Sequence, residues 1–135
     1  MEANVIASEP LFPGLKRVLD DSEVLLALAD PTVYNSNTIQ NVLLASFRAR
    51  VPVLAFSPAY VRAGALLALY VTPTQVGQQV ASVVRGVLQG KALPSSPAYA
   101  QNFSVAVNGH VARSLGLALD ADGLASQLRQ REGAP

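Results

Sequence analysis

The order of segments along the chain predicts an α/β fold, a three-layer sandwich with a mainly parallel sheet and helices on both faces. Three observations carry this. Apolar runs of strand length alternate with segments of helical periodicity, and neighbouring parallel strands need long crossovers of that kind. Three of the runs end on Asp30-Pro31, Ser57-Pro58 and Thr72-Pro73, pairs that stop a strand and open a turn or helix. The composition also suits a globular chain: 135 residues, 50% hydrophobic and 14% charged. That length holds one core, and such a balance excludes an intrinsically disordered segment.

Asn4 to Ala7 (NVIA) is a short strand candidate. Leu11, Leu15, Val18 and Leu19 recur at helical spacing behind Pro10 and Pro13, which suit a first turn. Glu23 to Ala29 (EVLLALA) is apolar without alternation, as expected of a strand covered on both faces. Asn35 or Ser36 then caps a helix with Ile39, Val42, Leu43 and Phe47 on one face. Val51 to Phe56 and Ala65 to Val71 are two further strands, with Pro52 at the start of the first. Thr72 caps a long helix with Pro73 at its first position and a stripe from Val76 to Leu88, stopped by Gly90. Residues 91–101 (KALPSSPAYAQ) are loop by composition. Phe103, Val105 and Val107 alternate as a strand with one open face. Asn108 opens a short helix ended by Gly116, and Asp122 caps a last helix through Leu124 and Leu128. The expected organisation is a lobe over residues 1–119 and a C-terminal helix and tail over 120–135.

Ten basic against nine acidic residues leave a net charge of +1, which implies no strongly charged partner. Their placement is more informative. From Pro31 to Leu119 there is no Asp or Glu, so paired-carboxylate catalysis or a carboxylate metal cage would draw on the chain ends. The absence of cysteine excludes disulfides, thiol catalysis and zinc-cysteine sites. His110 is the single histidine and has no sequence neighbour to share a metal; a solvated surface histidine is the expectation. Neither phosphate loop motif occurs, and no nucleophile elbow exposes a serine. The arginines lack the aromatic interleaving of an RNA-binding sheet, so no nucleic acid is expected, and no cofactor. No apolar run reaches the roughly 18 residues of a membrane span. The start Met1-Glu2-Ala3-Asn4 lacks the pattern of a signal peptide.

In open parallel sheets ligands bind beyond the carboxyl ends of the strands. Here those ends carry Asp30, Ser57 and Thr72, followed by Tyr34, Asn35 and Tyr60. Asp30 either hydrogen-bonds a ligand amine or hydroxyl, or caps the turn into the next helix. Asn35 and Ser36 face the same choice, and a helix beginning at Ser36 would offer free N–H groups to a carboxylate. Tyr34 and Tyr60 are placed to stack on a flat ligand, or are surface tyrosines. Tyr70 reads as a core residue with its hydroxyl at the edge.

The run VLLALADPTVYNSNTIQNVLLASFRARVPVLAFSPAYVRAGALLALY, continued by GQQVASVVRGVLQGKALP and FSVAVNGHVARSLGL, resembles the second half of a family of ABC-transporter substrate-binding proteins. These have type I periplasmic-binding-protein architecture and are related to tryptophan- and tyrosine-binding lipoproteins. The resemblance spans Leu15 to Leu119 and includes the Asn and Ala-x-x-Leu-Gly near the family's end. It implies a lobe of an extracytoplasmic or periplasmic receptor that holds a small solute, possibly an amino acid, and passes it to an ABC permease without catalysis. It also implies Asp30, Tyr34, Asn35, Ser57 and Tyr60 as ligand-binding residues. Members run to roughly twice this length, as two domains require. A single lobe, cut short or naturally small, exposes apolar surface and a sheet edge, which leads to the expectation of a homodimer.

A second reading is a stand-alone flavodoxin-like or response-regulator-like interaction module. The alternating elements suit it equally, but the acid cluster and phosphate loop of such proteins are missing. A hydrolase is the third and weakest, for want of a nucleophile with its base.

Overall fold

The computed structural model describes residues 10–93 and 95–132, and the strand expected at Asn4–Ala7 lies outside them. The chain divides into two compact units, Met1–Leu69 with Val105–Pro135, and Tyr70–Ser104. Its elements run α1 (Leu11–Asp20), β1 (Leu25–Leu26), α2 (Ile39–Ala49), β2 (Val53–Ala55), α3 (Pro58–Ala63), β3 (Leu67–Tyr70), α4 (Pro73–Leu88), β4 (Ser104–Val107), α5 (Gly109–Ser114) and α6 (Ala121–Glu132).

The four strands lie in the order β1-β2-β3-β4. Pairing is parallel from β1 to β2 and from β2 to β3, with Leu26 opposite Leu54 and Leu54 opposite Leu67. This α/β arrangement is the expected class. The strands advance one step at a time, and α2 packs against α3 on one face of the sheet. Side chains of α2 (Leu43, Ser46, Phe47), Val53 of β2 and Val111 and Leu115 line one cavity there. On the opposite face Leu124 and Leu128 of α6 meet Leu67, Leu69 and Val105.

That winding corrects one expectation. The run Glu23–Ala29 becomes a two-residue strand covered on one face only: Leu25 and Ala27 are buried, while Leu26 and Leu28 are 63% and 66% exposed. Among the described residues no crossover helix lies over the second face at β1, and α6 covers the far end of the sheet.

Caps set several boundaries. Ser57 begins α3, its hydroxyl accepting the Ala59 N–H at 3.3 Å, with Pro58 at the first position and Gly64 at φ +127° closing it. The sequence reading overlooked this six-residue helix, although Ser-Pro before and Gly after it are its signals. At the other end of the chain the cap of α6 is Asp120 rather than Asp122. The Asp120 carboxylate accepts the Gly123 N–H at 2.6 Å, and Asp122 sits inside the first turn.

In the second unit α4 has the expected start: the Thr72 hydroxyl accepts the Gln75 N–H, and the Gln75 side chain accepts the Thr72 N–H in return. The loop after it is held by Gln79, whose amide donates to the Tyr99 carbonyl and accepts from the Gln101 N–H.

Helix α2 ends on Arg50 at φ 58°, the one described non-glycine residue in the left-handed region. An L side chain there costs roughly 1–2 kcal/mol. Arg50→Gly is expected to raise stability by about 0.5 kcal/mol once the added freedom of the unfolded chain is subtracted. Urea unfolding followed by circular dichroism checks this, and a destabilised variant would show that the arginine side chain outweighs its backbone strain.

Candidate functional site

Because β1 and β2 are parallel, the segments that leave their carboxyl ends emerge at the same sheet edge. One is the turn from Asp30 to Thr38, the other Phe56 through α3. Asp30 opens the turn: its carboxylate accepts the Thr32 N–H at 2.8 Å, and its carbonyl accepts the Tyr34 N–H at 2.8 Å. One carboxylate oxygen is thereby used in an Asx turn on an exposed residue, so Asp30 does hold the turn that the capping alternative requires.

Asn35 does not cap α2. Its side chain accepts the Asn37 N–H at 3.0 Å and donates to the Pro31 carbonyl at 2.9 Å, and its own carbonyl accepts the Ile39 N–H. The Thr38 hydroxyl donates to Val33 at 2.6 Å and tightens the same loop. The helix therefore begins at Ile39, and the anion-binding helix start expected at Ser36 is not formed. The physical reason is that asparagine side chains satisfied a turn on both flanks before the helix could start.

The two tyrosines come together. The Tyr60 hydroxyl donates to the Tyr34 carbonyl at 3.2 Å. Phe56 stands between the rings, 4.9 Å from Tyr60 and edge-on to Tyr34 at 6.2 Å. Phe56 was absent from the sequence-derived candidates. Its signal was position alone, as the last residue of the β2 apolar run at the ligand end of the sheet. Ser57 lies beside it with its hydroxyl engaged in the α3 cap. Thus Tyr34, Phe56 and Tyr60 form an aromatic cluster at the sheet edge, with Ser57 beside it and Asp30 and Asn35 in the turn that carries Tyr34.

Burial, and secondarily the Tyr60 phenol, push the Tyr34 hydroxyl above its ordinary value of 10.0. A folded pKa raised above the unfolded one means that neutral Tyr34 favours the fold below pH 10. That contribution is lost as the pH climbs through the raised value. Ultraviolet titration of the phenolate band is expected to show a late step above the ordinary value, which Tyr34→Phe removes. A titration in which Tyr34→Phe removes no late step would contradict the burial.

A groove of about 620 Å³ lies elsewhere, between α1 and α2, and Asp30, Tyr34, Asn35, Ser57 and Tyr60 do not line it. Its walls are mostly apolar, and two of its charged groups, Lys16 and Asp20, pair with each other at 2.6 Å. It lacks the convergent polar groups that orient a solute. His110 is exposed as expected, and among the described residues no group of three or more His, Asp or Glu is placed to hold a metal. No helix among them is long and apolar enough to cross a membrane.

The model of a protein family described as "ABC transporter substrate binding protein" matches residues 1–127. The chain belongs to the ABC transporter substrate-binding protein family. Its members are binding proteins rather than catalysts. Two solved structures are similar to this chain. One, a conserved domain protein from Vibrio cholerae, is 28% identical with a TM-score of 0.56 and covers 85% of this chain. The other is an ABC domain from Streptococcus pneumonia, in complex with L-Trp. It is 16% identical with a TM-score of 0.57, covers 84% of this chain, and shows the fold alone. This chain spans 38% of the length of each. No curated protein matches it.

Proposed function

We propose that the chain acts as one lobe of an uptake receptor, holding a small aromatic or amino-acid-like solute at the sheet edge formed by β1 and β2. Asp30, Tyr34, Asn35, Ser57 and Tyr60 are the contacts in this reading, with Phe56 as the ring that ties the tyrosines together. The observation that carries it is the parallel pairing of β1 and β2. It delivers an exposed carboxylate and an aromatic cluster to one edge, and membership of a substrate-binding family supports reading that edge as the binding surface. Aromatic faces take flat apolar groups, and a carboxylate with a spare oxygen takes an ammonium. The ABC domain from Streptococcus pneumonia, similar in fold, was solved in complex with L-Trp, a solute of the same class.

A drug-sized solute is buried by 70% or more in its site, which one open edge does not achieve. A second wall is therefore part of the proposal. The exposed apolar face at Leu26 and Leu28 and the edge of β1, unpaired among the described residues, favour a homodimer as its source for this chain. Hand-over to an ABC permease at the extracytoplasmic side completes the role.

Isothermal titration with L-tryptophan, L-tyrosine and L-leucine tests the solute reading. Saturable binding that prefers the aromatic amino acids supports it, and loss of that binding in Tyr60→Ala places it at the cluster. Absence of binding by all three at millimolar concentration would overturn it.

A further inference from the structure

We propose that Asn108 is the positioning residue of this site: it holds α3 where Tyr60 closes on Tyr34, in addition to capping α5. This deepens the solute-binding reading, and its structural part stands without it.

Helix α3 has six residues, far below the length at which a helix supports itself. Its amino end is tied by Ser57. At its carboxyl end the last carbonyls need partners from outside the helix. The Val61 carbonyl finds two, the Gly64 N–H at 3.2 Å and the Asn108 side-chain amide at 2.9 Å, the latter from 47 residues along the chain. Tyr60 is the residue before Val61, so a shift of that carbonyl moves the ring that contacts Phe56 and the hydroxyl bonded to Tyr34.

Asn108 is itself held firmly. Its backbone N–H donates to the Leu66 carbonyl at 2.8 Å, at the entry to β3. Its side-chain oxygen accepts the N–H groups of His110 and Val111, each at 3.1 Å. Those two donors fix which end of the amide is oxygen, so the nitrogen must face Val61. One side chain thus joins the start of α5, the entry to β3 and the end of α3. A residue needed only as a cap could be Ser, Asp or Asn with little difference. The bond to Val61 needs a second polar atom that donates while the oxygen caps: aspartate has no donor at neutral pH, and serine has a single, shorter-reaching hydroxyl in the capping position.

That difference supplies the test. Asn108→Ser and Asn108→Asp both keep a cap for α5 and both lose the bond to Val61. The chain has no tryptophan, so its near-ultraviolet circular dichroism reports mainly on tyrosine packing. Both variants are expected to keep the far-ultraviolet helix signal and to lose near-ultraviolet intensity. In both, the Tyr34 ionisation should return toward its ordinary value. Retention of the wild-type tyrosine signature in both variants would overturn the proposal and leave Asn108 a cap. Should either variant fail to fold, exchange of the wild-type Asn108 side-chain amide protons with solvent decides instead. Slow exchange supports the bond, and exchange as fast as a free amide overturns it. L-tryptophan titrated into the variants reads the solute consequence separately: a wild type that does not bind it contradicts the proposed function, while the tyrosine signal still decides the role of Asn108.

Discussion

Leu43→Ala is expected to lower stability by about 3 kcal/mol, the usual cost of deleting a well-packed leucine side chain. Leu43 is buried on α2, with one methyl 4.0 Å from the point where a side chain on Gly64 would begin. It joins α2 to the end of α3 and shares a cavity wall with Val53 and Val111. A domain of this size has roughly 5–15 kcal/mol in all, so the loss moves the unfolding midpoint well outside experimental error. Urea unfolding followed by circular dichroism measures it. A loss within about 0.5 kcal/mol, as at a typical surface site, would show that α2 does not seal the core as described.

Asp30→Asn is expected to weaken binding of an amino-acid solute by about ten- to a hundredfold, the range of a lost hydrogen bond to a charged group. The substitution separates the two roles that the sequence left open for this residue. Asparagine makes the same Asx turn with the Thr32 N–H, so the loop that presents Tyr34 is retained. Only the negative charge is removed. Thermal unfolding is expected to be nearly unchanged, while titration calorimetry with the best aromatic amino acid shows the loss. Equal affinity of both proteins would reduce Asp30 to a turn residue and remove the ammonium contact from the proposed site.

The sequence was most informative where local chemistry and global fold agree. Thr72-Pro73 with Gln75, and Asn108 before a short apolar helix, mark their caps because a side-chain oxygen two or three residues from an N–H is a local matter. The parallel sheet followed from alternation, since short connections cannot join parallel strands. Failures occurred where two local solutions compete. Asn35, Ser36 and Thr38 are all able to cap α2, and only the folded turn shows that Asn35 is engaged with Asn37 and Pro31. Asp120 and Asp122 posed the same choice for α6. The open face of β1 was hidden because a continuous apolar run looks the same whether one or both faces are covered; strand order decides that, and order is a long-range property. By contrast, Asp30, Tyr34, Asn35, Ser57 and Tyr60 were legible as residues at or just past strand ends, because the ends of apolar runs are marked locally by Asp-Pro and Ser-Pro. The role of Phe56 as the ring between two tyrosines, and the reach of Asn108 to Val61, depend on segments far apart in the chain.

Native mass spectrometry of the purified chain, reading oligomer mass and retained small molecules together, tests the central claim most directly. The account predicts a dimer carrying an adduct of amino-acid mass that is displaced by added L-tryptophan. A strictly monomeric, empty protein that takes up no aromatic amino acid would contradict it.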